Sequence, residues 1–428
     1  VRSLFFVYGI LLFLALSPEA SNAQTPPTEV AKESPDLNEV EEKELETPEP
    51  ARLEMPGQTV QWKAPDFTKQ ENVLGWSAHA FDTPPGFDTR KDFWIDIYTK
   101  YSTHQAVIHD SHYLDIIYKI VDFSLIDSDK TLTSHAKEKQ KRNLIKNEKR
   151  KIHDELLNIS HLEETPGRLS ADEAEIFKKF RYVYDKKRFM QAADRHRLRM
   201  QLGQKDRFQQ GIFYSGRYIR EMESIFRKEG VPVELTRLPF VESSFNINAR
   251  SRVGASGIWQ FMRSTAKLYL KSTPIVDFRN DPIQASRAAA KLLRSNFTLL
   301  KSWPLALTAY NHGPQGVSLI VKKMKTGDLN EIVWNTTRRR FGFASENFYA
   351  EFLAALEVES HCDQYFGKIL VSAPLSYTER NLPSDIKFSE LQKSLAFNLD
   401  VYDPFFTKEV LEDRKKIPSG FMIRIPKE

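Results

Sequence analysis

Glu242 lies in "LPFVESSFN", residues 238–246, at a place where helical spacing calls for an apolar side chain. If the chain enters a helix at Pro232, each residue turns by about 100°, and Leu235, Leu238, Glu242 and Phe245 share one face. An acid on a buried face must be paired, protonated or used, because an unpaired buried carboxylate is costly and tends to take up a proton. Two later stretches carry groups that could work with it. "SRVGASGIWQFMRSTAKLYL" from Ser251 places Gly254 and Gly257 ahead of Gln260, and "LALTAYNHGPQGV" from Leu305 brings Tyr310 and Asn311 to a helix end stopped by Gly313-Pro314. Glycines let a backbone turn and let a ligand come close. Glutamine, tyrosine and asparagine supply the donors and acceptors that an amide-bearing sugar needs.

No aspartate or glutamate occurs between Glu242 and Asp277. Glycosidases usually work with two carboxylates, one as acid and one as base or nucleophile. Asp277 and Asp281, in "DFRNDP", read as a turn residue and a helix N-cap. Glu242 is then a single acid. The competing reading of Glu242 alone is a buried ion pair with Arg237, Arg250 or Arg252.

The elements that must hold these residues read as helices. Ser170 with Glu173 forms a capping-box pattern, Gly230 with Pro232 restarts a helix, and Asp281-Pro282 opens another. Upstream, residues 61–165 are rich in aromatics; the spacing of Phe93, Ile97 and Tyr101, and of Leu114, Ile117 and Tyr118, predicts packed helices. His104, His109, Asp110 and His112 follow no metal-ligand spacing, so neither metal nor cofactor is expected. "KEKQKRNLIKNEKRKI", 137–152, reads as a solvated helix face with pairs such as Glu138 to Arg142. The tail, from "YTERNLP" to "PSGFMIRIP", predicts strand, helix, a second helix and strand.

The 428 residues carry a net charge of +5. An apolar run from Leu4 to Leu16, then Pro18 and Ser21-Asn22-Ala23, reads as a signal peptide cleaved after Ala23, with an uncleaved anchor as the alternative. No cysteine follows the run, which argues against a lipoprotein, and Cys362 is the only cysteine. Residues 24–56 are acidic and proline-rich, a tether by composition. Export makes nucleic acid an unsuitable partner.

The three stretches around Glu242, Gln260 and Tyr310 resemble the lytic murein transglycosylases, specifically the membrane-bound D-type branch, which share the goose-type lysozyme fold. "GVPVELTRLPFVESSFNINARSRVGASGIWQFM", "DFRNDPIQASRAAAKLL" and "AYNHGPQGV" carry the likeness, which spans about residues 216–375. The resemblance implies Glu242 as catalytic acid, with Ser243, Gln260, Met262, Tyr310 and Asn311 contacting the sugar or orienting the glutamate. It implies non-hydrolytic cleavage of peptidoglycan strands at the N-acetylmuramic acid to N-acetylglucosamine bond, in the periplasm or cell envelope; a monomer is expected, with peripheral association to wall or membrane. A hydrolytic muramidase on the same fold and a non-catalytic peptidoglycan-binding protein are the alternatives. His312 stands where alanine is common. Aligned on Leu353-Ala354-Ala355, Phe348 meets the family's tyrosine and Ala344 its glutamate, which leaves Tyr349 or Glu346 as candidate substitutes. The tail resembles a degenerate lysin motif.

The expected fold class is therefore mainly α: signal peptide 1–23, acidic linker 24–60, helical N-terminal module 61–165, connecting helices 166–215, a lysozyme-like catalytic domain 216–375 and a small α+β module 376–428.

Overall fold

The computed structural model describes residues 58–68, 70, 73–336 and 341–427. The signal-peptide reading and all but the end of the linker reading lie outside these residues. The described residues open with a strap. Strand β1, Thr59–Gln61, pairs antiparallel with a late strand at Leu370–Ser372. Gln70 and Trp76 then both donate to the buried Glu234 carboxylate, at 2.7 and 3.1 Å, and the Trp303 indole donates to Gly75 O at 3.1 Å.

Helix α1, Asp88–Thr99, buries Phe93, Trp94, Ile97 and Tyr98 in the main core. The expectation of helices ends there. Gln105–Asp110 (β2) and Ile117–Asp122 (β3) form an antiparallel hairpin, and β2 pairs on its other side with a third strand at Leu198–Leu202. Tyr101 falls beyond the helix, Leu114 in the turn, and Ile117 and Tyr118 on a strand. The period-2 signal was hidden because both faces of β2 are covered. Ala106 and Ile108 face a second core with Ile152, Leu156, Phe180 and Phe189, while Val107 belongs to the main core. Buried polar residues on the same face disguise the pattern further: His109 lies against Phe93 and Phe343, and Arg199 lies over Phe343 at 4.3 Å.

The basic segment belongs to helix α2, Ser134–Leu162, which buries Ile145, Ile152, Leu156 and Ile159. Two of its charges are paired locally, Lys141 with Asp127 at 2.6 Å and Glu148 with Lys119 of the hairpin at 3.1 Å. Helix α3, Ala171–Lys179, opens with the expected capping box. Helix α4, Arg188–Ala192, and the third strand, now β4, Leu198–Leu202, complete this layer.

The larger core is helical: α5 Lys205–Ser215, α6 Ile219–Glu229, the short α7 Leu238–Ser243, α8 Pro282–Leu300, α9 Trp303–His312, α10 Pro314–Met324 and α11 Phe343–Ser360. One continuous helix from Pro232 is not what forms. Val233–Arg237 is a 3₁₀ segment, and α7 follows it for six residues. The junction is fixed by Arg237, 2% exposed, which donates to Glu359 at 3.2 Å and to Glu223 at 2.6 Å and covers the Phe67 ring.

After β5, Leu370–Ser372, the tail folds as expected: β6 Tyr377–Asn381, three short helices, and β7 Met422–Pro426 paired antiparallel with β6. Its core of Leu391, Leu399, Phe405, Phe406, Val410 and Ile423 includes Val276 of the helical region. Asp277 N donates to Phe405 O and Thr407 N to Ile275 O. Arg424 donates to Asp281 at 2.6 Å.

Two outcomes follow from these buried charges. Arg237→Met leaves the buried Glu359 without its cation, while Glu223 keeps Arg227 at 3.2 Å, so it should cost about 3–5 kcal/mol of stability in denaturant titration. Asp403, fully buried beside Arg424, is pushed up to about 7, by burial first, against the pull of the Arg424 backbone N–H and charge. A carboxyl whose folded pKa is raised contributes stability below its unfolded pKa and loses it as pH rises through the folded one. Thermal stability should therefore fall from the ordinary carboxylate range toward pH 7, and Asp403→Asn should flatten that slope.

Candidate active site

Glu242 is the penultimate residue of α7, partly buried rather than sealed in the core. Leu238, Phe240 and Phe245 around it are fully buried. The helix stops abruptly. Ser244 and Phe245 both adopt left-handed backbone angles, φ 49° and 56°. For residues with a Cβ this costs about 1–2 kcal/mol each, and such strain concentrates where surrounding structure dictates position. Gly211 of α5 makes the corner feasible, since a Cβ there would sit 2.8 Å from Ser244 O.

The second stretch lies across this corner as a tight loop. Ser243 Oγ donates to Ile258 O at 2.9 Å, tying α7 to it. Gln260, itself left-handed at φ 46°, donates its amide to Gly257 O at 2.8 Å and Ala249 O at 3.2 Å. Buried Arg279 threads underneath, donating to Gly254 O at 2.7 Å and Phe261 O at 3.0 Å, and is held by Asp277 at 2.7 Å. Trp259 is fully buried, its indole donating to Ser286 Oγ at 2.9 Å. Met262 caps the following short helix and stays partly exposed.

The third stretch closes on the loop from α9. The Tyr310 hydroxyl donates to Trp259 O at 2.8 Å, and its ring stacks on Phe348 at 6.3 Å and 8°. Burial first, then the nearby Glu242 charge, push that hydroxyl well above its ordinary range. Glu242 and Tyr310 are thus electrostatic neighbours. Asn311 Oδ1 accepts from Ser345 Oγ at 3.0 Å, and His312 Nδ1 lies 3.2 Å from the same hydroxyl.

These placements sharpen the roles. Ser243, Gln260 and Tyr310 use their polar groups inside the protein, as braces that set the loop against Glu242. Asn311 and Met262 remain the candidate contacts at the edge. Ser345, Trp259 and Arg279 were missed; nothing in their residue types separates them from ordinary core or surface positions. Of the possible substitutes on α11, Phe348 stacks on Tyr310, Tyr349 is buried against Phe87, and Glu346 lies in a cavity with the N-terminal layer.

Asp277 and Asp281 are both occupied. Asp277 caps a 3₁₀ turn and binds Arg279, and its carboxyl sits below the usual range because those bonds outweigh its burial. Asp281 caps α8 through Ile283 N and Gln284 N and takes the Arg424 guanidinium. Neither is available as a second acid or base without dismantling the fold. Among the described residues of the three stretches, Glu242 is therefore the one carboxylate at the centre of the arrangement, able to give a proton and take one back.

Residues 219–333 match the transglycosylase SLT domain family. The chain is 36% identical over 111 residues to membrane-bound lytic murein transglycosylase D of Escherichia coli (strain K12), covering 26% of this chain and 25% of that protein. It is 31% identical over 110 residues to a protein of Alteromonas sp. (strain M-1) named for tributyltin chloride resistance, covering 25% of this chain and 53% of that one. The chain thus spans about a quarter to a half of the length of these relatives. A solved structure of lytic transglycosylase Slt from Pseudomonas aeruginosa aligns over 47% of this chain and 32% of its own at 16% identity and a TM-score of 0.30.

The two loop glycines separate conformational strain from steric exclusion. Both have positive φ, +90° at Gly254 and +76° at Gly257, but a Cβ meets nothing at Gly254 and Arg279 O at 1.9 Å at Gly257. Gly254→Ala should lose only the conformational part, about 1–2 kcal/mol. Gly257→Ala must also push the Arg279 backbone away, so chemical denaturation should show a clearly larger loss, with turnover falling alongside. Equal losses would mean that the loop does not rest on that contact.

Proposed function

We propose that this chain is a peptidoglycan lytic transglycosylase, cleaving the β-1,4 bond between N-acetylmuramic acid and N-acetylglucosamine and leaving 1,6-anhydro ends. The observation that carries the proposal is the single acid: Glu242 stands beside Tyr310 while Asp277 and Asp281 are tied to Arg279, Arg424 and helix-capping duties. The match of residues 219–333 to the SLT domain supports it.

Glu242 donates its proton to the glycosidic oxygen as the bond breaks. Positive charge grows on the muramic sugar carbon, and the sugar's own acetamido group stabilises it, so no second carboxylate is required. Glu242, now a carboxylate, takes the proton of the C6 hydroxyl as that oxygen attacks the same carbon. An oriented hydroxyl of the same sugar outcompetes water because its effective concentration is very high. The braces from Ser243, Gln260 and Tyr310 keep Glu242 in the one position that serves both steps, and Asn311 offers its amide to the sugar at the cleft edge.

On this reading the enzyme works in the cell envelope, with the apolar run ahead of Gln24 serving as a cleaved export signal or a retained anchor. No helix among the described residues is long and apolar enough to cross a membrane. In the tail, the order strand, helices, strand supports a lysin-motif-like glycan-binding role close to the cleft, since it packs on the 273–281 segment beside Arg279.

Glu242→Gln preserves size and removes the transferable proton, so turnover on purified peptidoglycan should fall at least about a hundredfold with the melting temperature little changed. Products of the unaltered enzyme should resist borohydride and be lighter than muramidase products by one water, about 18 Da. A digest dominated by reducible muramic ends would replace the lyase by a hydrolase, and would require a base outside "DFRNDP".

A further inference from the structure

A cavity of about 620 Å³ lies between the N-terminal layer and the first turn of α11, outside the groups that surround Glu242. Glu346 lines it from α11; His112, Met190, Asp194 and Arg197 line it from the other side. It adjoins the cleft, because Ser345, the residue before Glu346, donates to Asn311.

The charges of this cavity are uneven. Arg197 is already spent on the fully buried Asp110, at 2.7 Å. The His112 ring packs edge-on against Trp334 at 4.4 Å and is brought down to about 4 by burial, with Arg197 adding to the effect, so it is neutral at ordinary pH. The Glu346 carboxylate accepts no hydrogen bond and forms no ion pair among the described residues. Arg90 and Arg199 are near enough to be felt at its carboxyl, but Arg90 donates to Asn347 and lies over Trp334, while Arg199 lies over Phe343. Burial nonetheless raises the Glu346 carboxyl above its ordinary range. Asp194, exposed on the opposite wall, has its carboxylate engaged only by the His196 backbone N–H. Among the described residues, the cavity therefore presents two carboxylates with room between them, its lining arginine paired with Asp110 and its imidazole uncharged. A partly desolvated carboxylate that no described residue hydrogen-bonds is completed by an N–H donor, best by an ammonium.

We propose that this cavity is a subsite for the amine-bearing part of a peptide attached to the glycan, held through Glu346. The inference rests on the transglycosylase reading, which brings a sugar chain with peptide branches into the neighbouring cleft; a branch leaving the sugar near Asn311 meets the cavity across Ser345. The N-terminal layer thereby acquires a role in choosing substrate, by supplying one wall of the subsite.

The test compares kcat/KM of the full chain on muropeptide oligomers whose peptides carry a free primary amine and on the same oligomers after acetylation of that amine. A charge-assisted hydrogen bond should favour the free amine by about tenfold, carried in KM. Glu346→Gln, of the same shape, should bring the ratio close to one. Met190→Trp, at a residue 55% exposed on the cavity wall, should narrow the mouth and reduce the ratio without touching the core. A ratio unchanged in both variants, or already one in the unaltered enzyme, overturns the proposal. If the unaltered enzyme cleaves neither substrate, the transglycosylase reading fails by itself. Calorimetry with the free amine-bearing peptide then decides the subsite: binding that Glu346→Gln abolishes supports it, and binding equal in both proteins, or none, ends it.

Discussion

A helix of six residues cannot hold a carboxylate in place by its own hydrogen bonds, and α7 is such a helix. Its position is imposed from outside. At its start Arg237 is clamped between Glu359 and Glu223, and at its end Ser243 is tied to Ile258 O. The left-handed pair Ser244 and Phe245 turns the chain out within two residues, with Phe245 anchored in the core. A charge pair as buried as that of Arg237 is not a bargain in stability against a well-packed apolar set. What it supplies here is direction, because three hydrogen bonds to two helices fix the angle at which α7 leaves the 3₁₀ segment.

The loop from Ser251 to Met262 repeats the same strategy without a helix. Its carbonyls are gathered by Arg279, Gln260 and Tyr310, which come from three different parts of the chain. A loop bonded in this way gives its polar groups little freedom to reorganise when charge develops nearby. That is the condition under which fixed dipoles lower a barrier most effectively. The polar residues that the sequence offered as substrate contacts, Ser243, Gln260 and Tyr310, are consumed in bonds within the protein.

Much of this was legible in the sequence, for identifiable reasons. Glu242 stood out because an acid interrupted an apolar face, and Asp281-Pro282 because cap chemistry is local. The tail was readable since its strands and helices are short and set off by turns. What could not be read were contacts made at a distance. The break at Arg237 depends on Glu359, more than a hundred residues away, and the bracing roles of Gln260 and Tyr310 depend on where the Ala249 and Trp259 carbonyls lie, 11 and 51 residues off. The sheet of β2, β3 and β4 escaped because its central strand is covered on both faces and buries His109, while β4 buries Arg199 opposite it, so polar residues sit where alternation predicts apolar ones.

Asp281 carries a further consequence. One of its oxygens caps α8, the longest helix of the main core, and the other grips Arg424 in the final strand of the tail. A module joined to its neighbour by a linker can be exchanged, duplicated or lost by recombination with little effect on either side. Here a crossover upstream of β6 would strand a carboxylate that is fully buried inside the remaining domain. The two parts are thus bound to be inherited together, and drift in the last strand is restrained by a helix start nearly a hundred and fifty residues earlier.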